Sequence, residues 1–505
     1  MNCVLPCSVS LKKLSGETLV YGLSSILGRL LTFVLVTPFI TRVLSEGEVG
    51  EVGNLMFWTA FLIALLVFRM DTAVFRFASR GDYDPREVFR QSQRVVMLMT
   101  GLIIGPLLLF SDGVAELLDA PRATVYVRLV LLTVAFDALS AVPLARLRLQ
   151  QRSWFFVGVN LGNVVINIAL IYYLLAYLPA SAPERFIGSF KVGYYLIAIA
   201  VAAGLRYLVL LLDGLFGSGS RAEPEPDVLD RIPEPTPPPG APPLGRLFSY
   251  SLPLTVVSIA GIANSLVGPT LLSGQPVGAG YFTAALRMAV FLNLFITAYQ
   301  YAAEPFFFRQ SGRDLETADR TIYADAMRAY GIVGTLASVG ILLGLPWLQF
   351  FIGADVRPGL EVLPILLAAN FLFGIYSNLS IAYKLTDQTL LGGLIAVAGS
   401  LFAVVGPLPF IARYGIYAPA VGMLACFLLM CVLAYFVSRK YFPVRYPFGR
   451  ILLYVVLAIA VCLLGALSEA MWWRILLMLV AVGGIGLLER RWLVRTFGRG
   501  AAGAT

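Results

Sequence analysis

Apolar residues run through this chain in long blocks, separated by short clusters of charged residues, proline and glycine. A helix needs about 20 consecutive apolar residues to cross the hydrocarbon layer of a bilayer. Fourteen blocks reach that length: 18–41, 50–74, 88–110, 124–145, 155–178, 187–212, 247–272, 280–305, 322–350, 359–383, 388–411, 415–437, 450–468 and 471–489. The pattern therefore predicts an all-α polytopic membrane protein of about 14 transmembrane helices. An even number of spans returns the chain to its starting side, so both termini share a compartment.

Composition agrees. Of 505 residues, 59% are hydrophobic and 13% charged, and the mean hydropathy is +0.82, whereas a soluble domain carries about 25% charged residues. The net charge of +9 would suit a nucleic-acid partner if the cations formed one soluble patch. They lie at the ends of the apolar blocks instead, which excludes that class and orients the chain. With the N-terminus inside, the cytoplasmic loops hold 24 Lys and Arg, against 7 on the other side (Arg42, Arg122, Arg185, Lys191, Arg357, Arg413 and Arg474). The positive-inside rule then places both termini in the cytoplasm.

Histidine is absent, which removes imidazole metal sites and His-dependent nucleophile systems. The five cysteines, Cys3, Cys7, Cys426, Cys431 and Cys462, are sparse and read as packing residues. No metal and no cofactor is expected. The segment holding Cys3 and Cys7 lacks the apolar core of a cleavable signal peptide.

Residues 217–245, GSGSRAEPEPDVLDRIPEPTPPPGAPPLG, can neither pack a core nor enter lipid and read as a semi-extended cytoplasmic linker. It divides the chain into residues 1–216 with six spans, the linker at 217–246, residues 247–437 with six more, and a tail at 438–505 with two additional spans and a basic end. The two halves share a weak repeat. YGLSSI at 21 and GEVGEVGNL at 47 are echoed by YSLPLT at 250 and QPVGAGYF at 275, about 230 residues later. Internal repeats of this kind are common in secondary transporters, with the binding site between them.

Ionisable groups within spans mark functional pathways. Arg29 sits about 11 residues into the first span, ~16 Å deep at 1.5 Å per residue, and shares a helical face with Tyr21, Ser25 and Thr32. The second span closes with FRMDTAVFRFASR, where Arg69 and Arg76 share one face of a continuous helix and Asp71 points elsewhere. Arg76 reads as an interfacial anchor, while Arg69 and Asp71 lie deeper. Arg287 is near the middle of the eighth span, roughly 120° around the helix from a stripe formed by Asn293, Thr297, Gln300 and Glu304. Glu304, followed by Pro305, and Asp137 in the fourth span are candidate coupling or gating carboxylates, and Asp137 is a candidate partner of Arg206 in the sixth. Asn160, Asn163 and Asn167 form one face of the fifth span; these and Asn264, Asn370 and Asn378 read first as interhelical glue. Arg29, Arg69 and Arg287 against Asp71 give a net cationic candidate cavity, and Arg is suited to forked contacts with phosphate oxygens.

The 14 spans divided after the sixth, the opening SGETLVYGLSSILGRLLTFVLVTPFITRVLSEGEVGEVG, the passage VPLARLRLQQRSWFFVGVNLGNVVINI, and YSLPLT with GAGYFTAALRMAVFLNLFITAYQYAAEPFFF resemble the Wzx-type polysaccharide or O-antigen flippases of the multidrug, oligosaccharidyl-lipid and polysaccharide (MOP) transporter superfamily. That resemblance implies two pseudo-symmetric six-helix lobes around a central cavity plus two C-terminal helices. It also implies a bacterial inner-membrane location and alternating access that moves an undecaprenyl-pyrophosphate-linked oligosaccharide outward. By comparison with related lipid II flippases it assigns Arg29, Arg69 and Arg287 as headgroup contacts. Partners implied are the lipid-linked anionic oligosaccharide, membrane lipids, and a glycan polymerase with its chain-length machinery. Alternatives are a lipid II flippase, which would use the same arginines, and a cation-coupled multidrug exporter, which would need cavity carboxylates that the first span lacks beyond Glu17. A membrane enzyme is disfavoured because no loop offers an acidic or metal-binding catalytic motif.

Overall fold

The computed structural model describes residues 27–79, 83–113, 123–150, 152–216, 240–310, 320–386, 388–468, 470–492 and 494. Among the described residues every regular element is helical, and 13 helices are long and apolar enough to cross a membrane. The remaining expected span is described from residue 27 to 43 as α1, an α-helix interrupted by a π-helical turn at Thr32–Val36. It is followed by α2, Glu46–Val67 and Met70–Ser79; α3, Pro85–Leu109; α4, Ala123–Leu149; α5, Ser153–Tyr172 with its continuation to Ser181; and α6, Lys191–Phe216. Then come α7, Leu244–Leu266; α8, Pro276–Gln310; α9, Thr321–Leu343; α10, Leu363–Leu385; α11, Thr389–Val405; α12, Tyr417–Tyr441; α13, Phe448–Gly465; and α14, Met471–Leu488. The chain is a multi-pass, all-helical membrane protein. Most of the acidic proline-rich linker, 217–239, lies outside the described residues.

Two compact units divide within α8, at Met1–Gly280 and Tyr281–Thr505. In the first, α4 packs against α2, α3 and α6, and Leu147, Val159 and Leu210 bring α4, α5 and α6 together. The start of α2 is fixed by a capping box: the Ser45 amide donates to Glu48 Oε2 at 2.8 Å, and the Glu48 amide donates to Ser45 Oγ at 3.4 Å. The same helix meets the first turn of α8 through glycines. A Cβ on Gly50 would lie 2.6 Å from the Pro276 carbonyl oxygen and from the Gly280 nitrogen, and a Cβ on Gly280 would overlap the Glu46 carbonyl. Gly50 with Gly280, and Glu46 with Pro276, are separated by the spacing of the weak sequence repeat, so repeated segments touch each other reciprocally.

In the second unit α12 packs against α10 and α11, while α9 receives α10, α13 and α14. Val339, Leu343, Val461, Leu477 and Ala481 form the apolar seam that joins the last two helices to α9. Its polar end is closed by Glu489, which is 1% exposed. That carboxylate pairs with Arg328 at 3.1 Å and Arg450 at 3.3 Å, and accepts the Tyr454 hydroxyl at 2.6 Å. Cys426 and Cys431 are buried free thiols and Cys462 is a half-buried one, as packing residues would be; Cys3 and Cys7 lie outside the described residues.

Candidate functional site

The cationic residues expected to meet substrate are placed by three helices. Arg29, on α1, is exposed, and no hydrogen bond or ion pair joins it to another described residue. Thr32, on the same face, donates its hydroxyl back to the Gly28 carbonyl at 3.0 Å; Tyr21 and Ser25 lie outside the described residues. Gly28 faces α5, where a Cβ on it would lie in ordinary van der Waals contact with Val164 Cγ2, at 3.4 Å. Farther along, the Tyr172 hydroxyl donates to the Leu35 carbonyl at 2.9 Å, and its ring stacks on Phe39 at 4.3 Å between centroids.

Arg69 departs from the sequence reading. α2 is not continuous there: Phe68 and Arg69 both adopt left-handed backbone conformations, at φ 48° and 53°. Two adjacent non-glycine residues in that region each cost about 1–2 kcal/mol, and the helix phase restarts at Met70. Arg69 and Arg76 therefore do not share a face of one helix. The Arg69 carbonyl instead accepts the Thr72 and Ala73 amides, both at 3.1 Å, opening the second segment. Arg69 is half-buried, and its Nε is buried with no hydrogen-bond partner. Asp71 falls in the first turn of that segment, where a carboxylate is favoured by the unpaired amides of a helix N-terminus; the Thr72 hydroxyl reaches it at 3.5 Å. Arg76 is exposed and stacks over the Tyr250 ring at 4.5 Å, as an anchor would.

Arg287, in the second unit, is half-buried on α8 and carries no ion pair or hydrogen bond among the described residues. The described members of the polar stripe on that helix, Asn293, Thr297 and Gln300, are all hydrogen-bonded, and Tyr299 beside them is too. Asn293 donates to Asn370 Oδ1 at 3.4 Å, Gln300 donates to Ser377 Oγ at 2.9 Å, and Tyr299 donates to Asn378 Oδ1 at 2.6 Å. These contacts are the interhelical glue expected of amides in spans, here joining α8 to α10. The side chain of Glu304 lies outside the described residues.

Two other charge pairs within the spans neutralise each other. Asp137 on α4 and Arg206 on α6 form an ion pair at 2.6 Å, with side chains 27% and 14% exposed. Arg152 holds Asp213 by two bonds of 2.8 Å each. Arg94, a further cation within a span, is exposed on α3 near the exposed Met97, Leu98 and Leu102. It sits about 13 Å from the helix start, close enough for a long side chain to reach the interface. Arg29, Arg69 and Arg287 have no carboxylate partner among the described residues, a condition they share with Arg94 and with Arg146, which lies over the Phe89 ring at 4.9 Å near the end of α4. An apolar groove of about 530 Å³ between α4 and α6, lined by Leu129, Leu132, Phe136, Ile197, Tyr207 and Leu211 among others, has no charged residue in its lining to orient an anion.

The same arrangement of helices occurs in solved membrane-protein structures. The chain is similar to the lipid II flippase MurJ in an inward closed conformation, with a TM-score of 0.71 and 15% identity, over 94% of this chain and 100% of that one. It is also similar to an inward-facing multidrug resistance MATE family transporter of the MOP superfamily (TM-score 0.63, 14% identity, 87% of this chain and 96% of that one). A third likeness is to the MATE multidrug transporter DinF-BH (0.58, 17%, 87% and 98%). No family model and no curated protein matches the sequence. At these identities the likeness shows the fold alone: this chain shares the all-helical architecture of those structures.

Proposed function

We propose that this protein is a flippase that carries an undecaprenyl-pyrophosphate-linked oligosaccharide from the cytoplasmic to the outer leaflet of a bacterial inner membrane by alternating access, supplying O-antigen, exopolysaccharide or capsule assembly. One observation carries the reading. Asp137 neutralises Arg206 and Asp213 neutralises Arg152, yet Arg29 and Arg287 are left without a counter-charge among the described residues, and Arg69 without a carboxylate. An unpaired guanidinium within a span is costly unless a ligand or water meets it, and pyrophosphate presents the oxygens that its fork fits. In a cell that is negative inside, moving that headgroup outward runs with the potential, about 2.3 kcal/mol per charge per 100 mV. Chemistry is left to membrane-bound partners that build and polymerise the glycan.

The test uses purified protein in vesicles whose lipids include fluorescent probes, with leaflet exposure read by a membrane-impermeant quencher. Undecaprenyl-pyrophosphate-linked oligosaccharide should change leaflets, and a cationic dye should be neither accumulated nor expelled. Dye exchange driven by a cation gradient, with no movement of the lipid-linked glycan, would replace this reading by that of an exporter. Equal movement of lipid II and of the oligosaccharide would show that the arginines read the carrier and not the sugar.

A further inference from the structure

The amides of α5 behave differently from those of α8 and α10. Asn293, Gln300, Asn370 and Asn378 all make hydrogen bonds in the second unit, and Asn160 donates to the Phe156 carbonyl of its own helix at 3.0 Å. Asn163 and Asn167 make none among the described residues, although their side-chain oxygens are buried and each residue as a whole is half-exposed. A buried acceptor without a donor is destabilising. The fold tolerates two of them on one face, one turn apart.

Their position relative to Arg29 follows from the way α1 lies on α5. Gly28 faces Val164, and Leu35 is bonded to Tyr172, so the two helices run in the same direction with almost constant offset. Taken along the helix axes, Arg29 is turned about 100° forward from Gly28, while Asn163 and Asn167 are turned about 100° and 60° back from Val164. In parallel helices those rotations point to the same side of the seam. Arg29 is also level with residue 165, within about 3 Å along the axis of both amides at 1.5 Å per residue. The cation on α1 and the two unspent amides on α5 therefore form one polar wall within the first unit.

We propose that Asn163 and Asn167 are the sugar-reading residues of this protein, binding hydroxyls of the glycan next to the pyrophosphate that Arg29 receives. The inference rests on the flippase reading above. A hydroxyl donates and accepts at once, and an amide free at both ends matches it in either orientation. A guanidinium cannot do this, having donors only. The wall thus assigns the charged carrier to α1 and the neutral sugar to α5.

The experiment compares two probes in the vesicle assay: undecaprenyl pyrophosphate carrying a single N-acetylhexosamine, and bare undecaprenyl pyrophosphate. Wild type, N163L, N167L and N163L/N167L are each measured with both probes, and each is melted in detergent. The double variant should slow the glycosylated probe about tenfold or more, corresponding to the loss of two ordinary hydrogen bonds. It should leave the bare probe within about twofold, and it should melt at or above wild type because two unsatisfied acceptors are gone. Equal loss on both probes, no loss on either, or a lowered melting temperature in both single variants would overturn the assignment. Loss that is restored by raising sodium would replace sugar recognition by a cation site. If wild type moves neither probe, the flippase reading itself fails, a result separable from the others because it appears before any substitution is made.

Discussion

Removing the Asp137 carboxylate would leave Arg206 in the middle of the first unit with nothing to balance it. The two side chains meet at 2.6 Å, only 14% of Arg206 is exposed, and its Nε already has no partner. Breaking a buried pair from one side costs about 3–5 kcal/mol, whereas replacing both partners by apolar residues of similar size is often neutral or stabilising. Because 27% of Asp137 is exposed, the single substitution D137L should cost less than that range, about 2–3 kcal/mol after discounting for solvent. For a chain of this length that corresponds to a fall of about 3–5 °C, taking roughly half the shift per kcal/mol seen in domains of 150–250 residues. R206L should fall similarly, and the D137L/R206L double variant should recover most of the loss. The assay is a thermal melt by tryptophan fluorescence in detergent, followed by vesicle transport. Transport by the double variant at near wild-type rate would fix Asp137 as a structural counter-charge and remove it from the coupling candidates. Independent, additive losses in the double-mutant cycle, or a single variant that melts like wild type, would refute the argument that the pair is a buried unit.

Three further outcomes follow from packing and charge. Gly280→Val should destabilise the first unit by about 1–3 kcal/mol, the usual cost of overpacking, because the added carbons meet the Glu46 carbonyl and not a movable side chain; a melting temperature equal to wild type would show that the α2–α8 contact yields freely. Gly158→Ala is the matching control, since nothing lies within 4 Å of the added methyl, and it should raise stability by up to about 1 kcal/mol through helix propensity alone. Glu489→Gln leaves Arg328 and Arg450 facing a neutral amide in a site that is 1% exposed. It should loosen α13 and α14 from α9, detected as faster proteolysis near residue 489; unchanged proteolysis would mean that the apolar seam suffices.

Much of the fold could be read before the structure, because a span of about 20 apolar residues is a requirement of bilayer thickness and needs no knowledge of neighbours. Periodicity also identified the polar face of α8. It did not identify α10 as the receiving helix, since spacing along one helix fixes a direction and not what lies there. Asp137 and Arg206 could be suggested as partners from opposite charge alone, and they meet. The break at Phe68 and Arg69 could not be seen: the stretch VFRMD contains neither glycine nor proline, so tertiary contacts, including the Phe68 ring against Phe248 at 5.4 Å, hold a conformation that local sequence disfavours. The contrast between the engaged amides of α8 and the unspent ones of α5 was equally hidden, because both appear as asparagine at helical spacing.

The central claim is that guanidinium groups left uncompensated in the spans receive the anionic headgroup. The most direct measurement is the initial rate of undecaprenyl-pyrophosphate-linked oligosaccharide movement in vesicles containing Arg29→Ala or Arg287→Ala, each matched to wild type for insertion and melting temperature. Either substitution should abolish movement while the protein stays folded, with no loss of stability because neither side chain is paired with another described residue. Wild-type rates in both variants at equal protein density would contradict it.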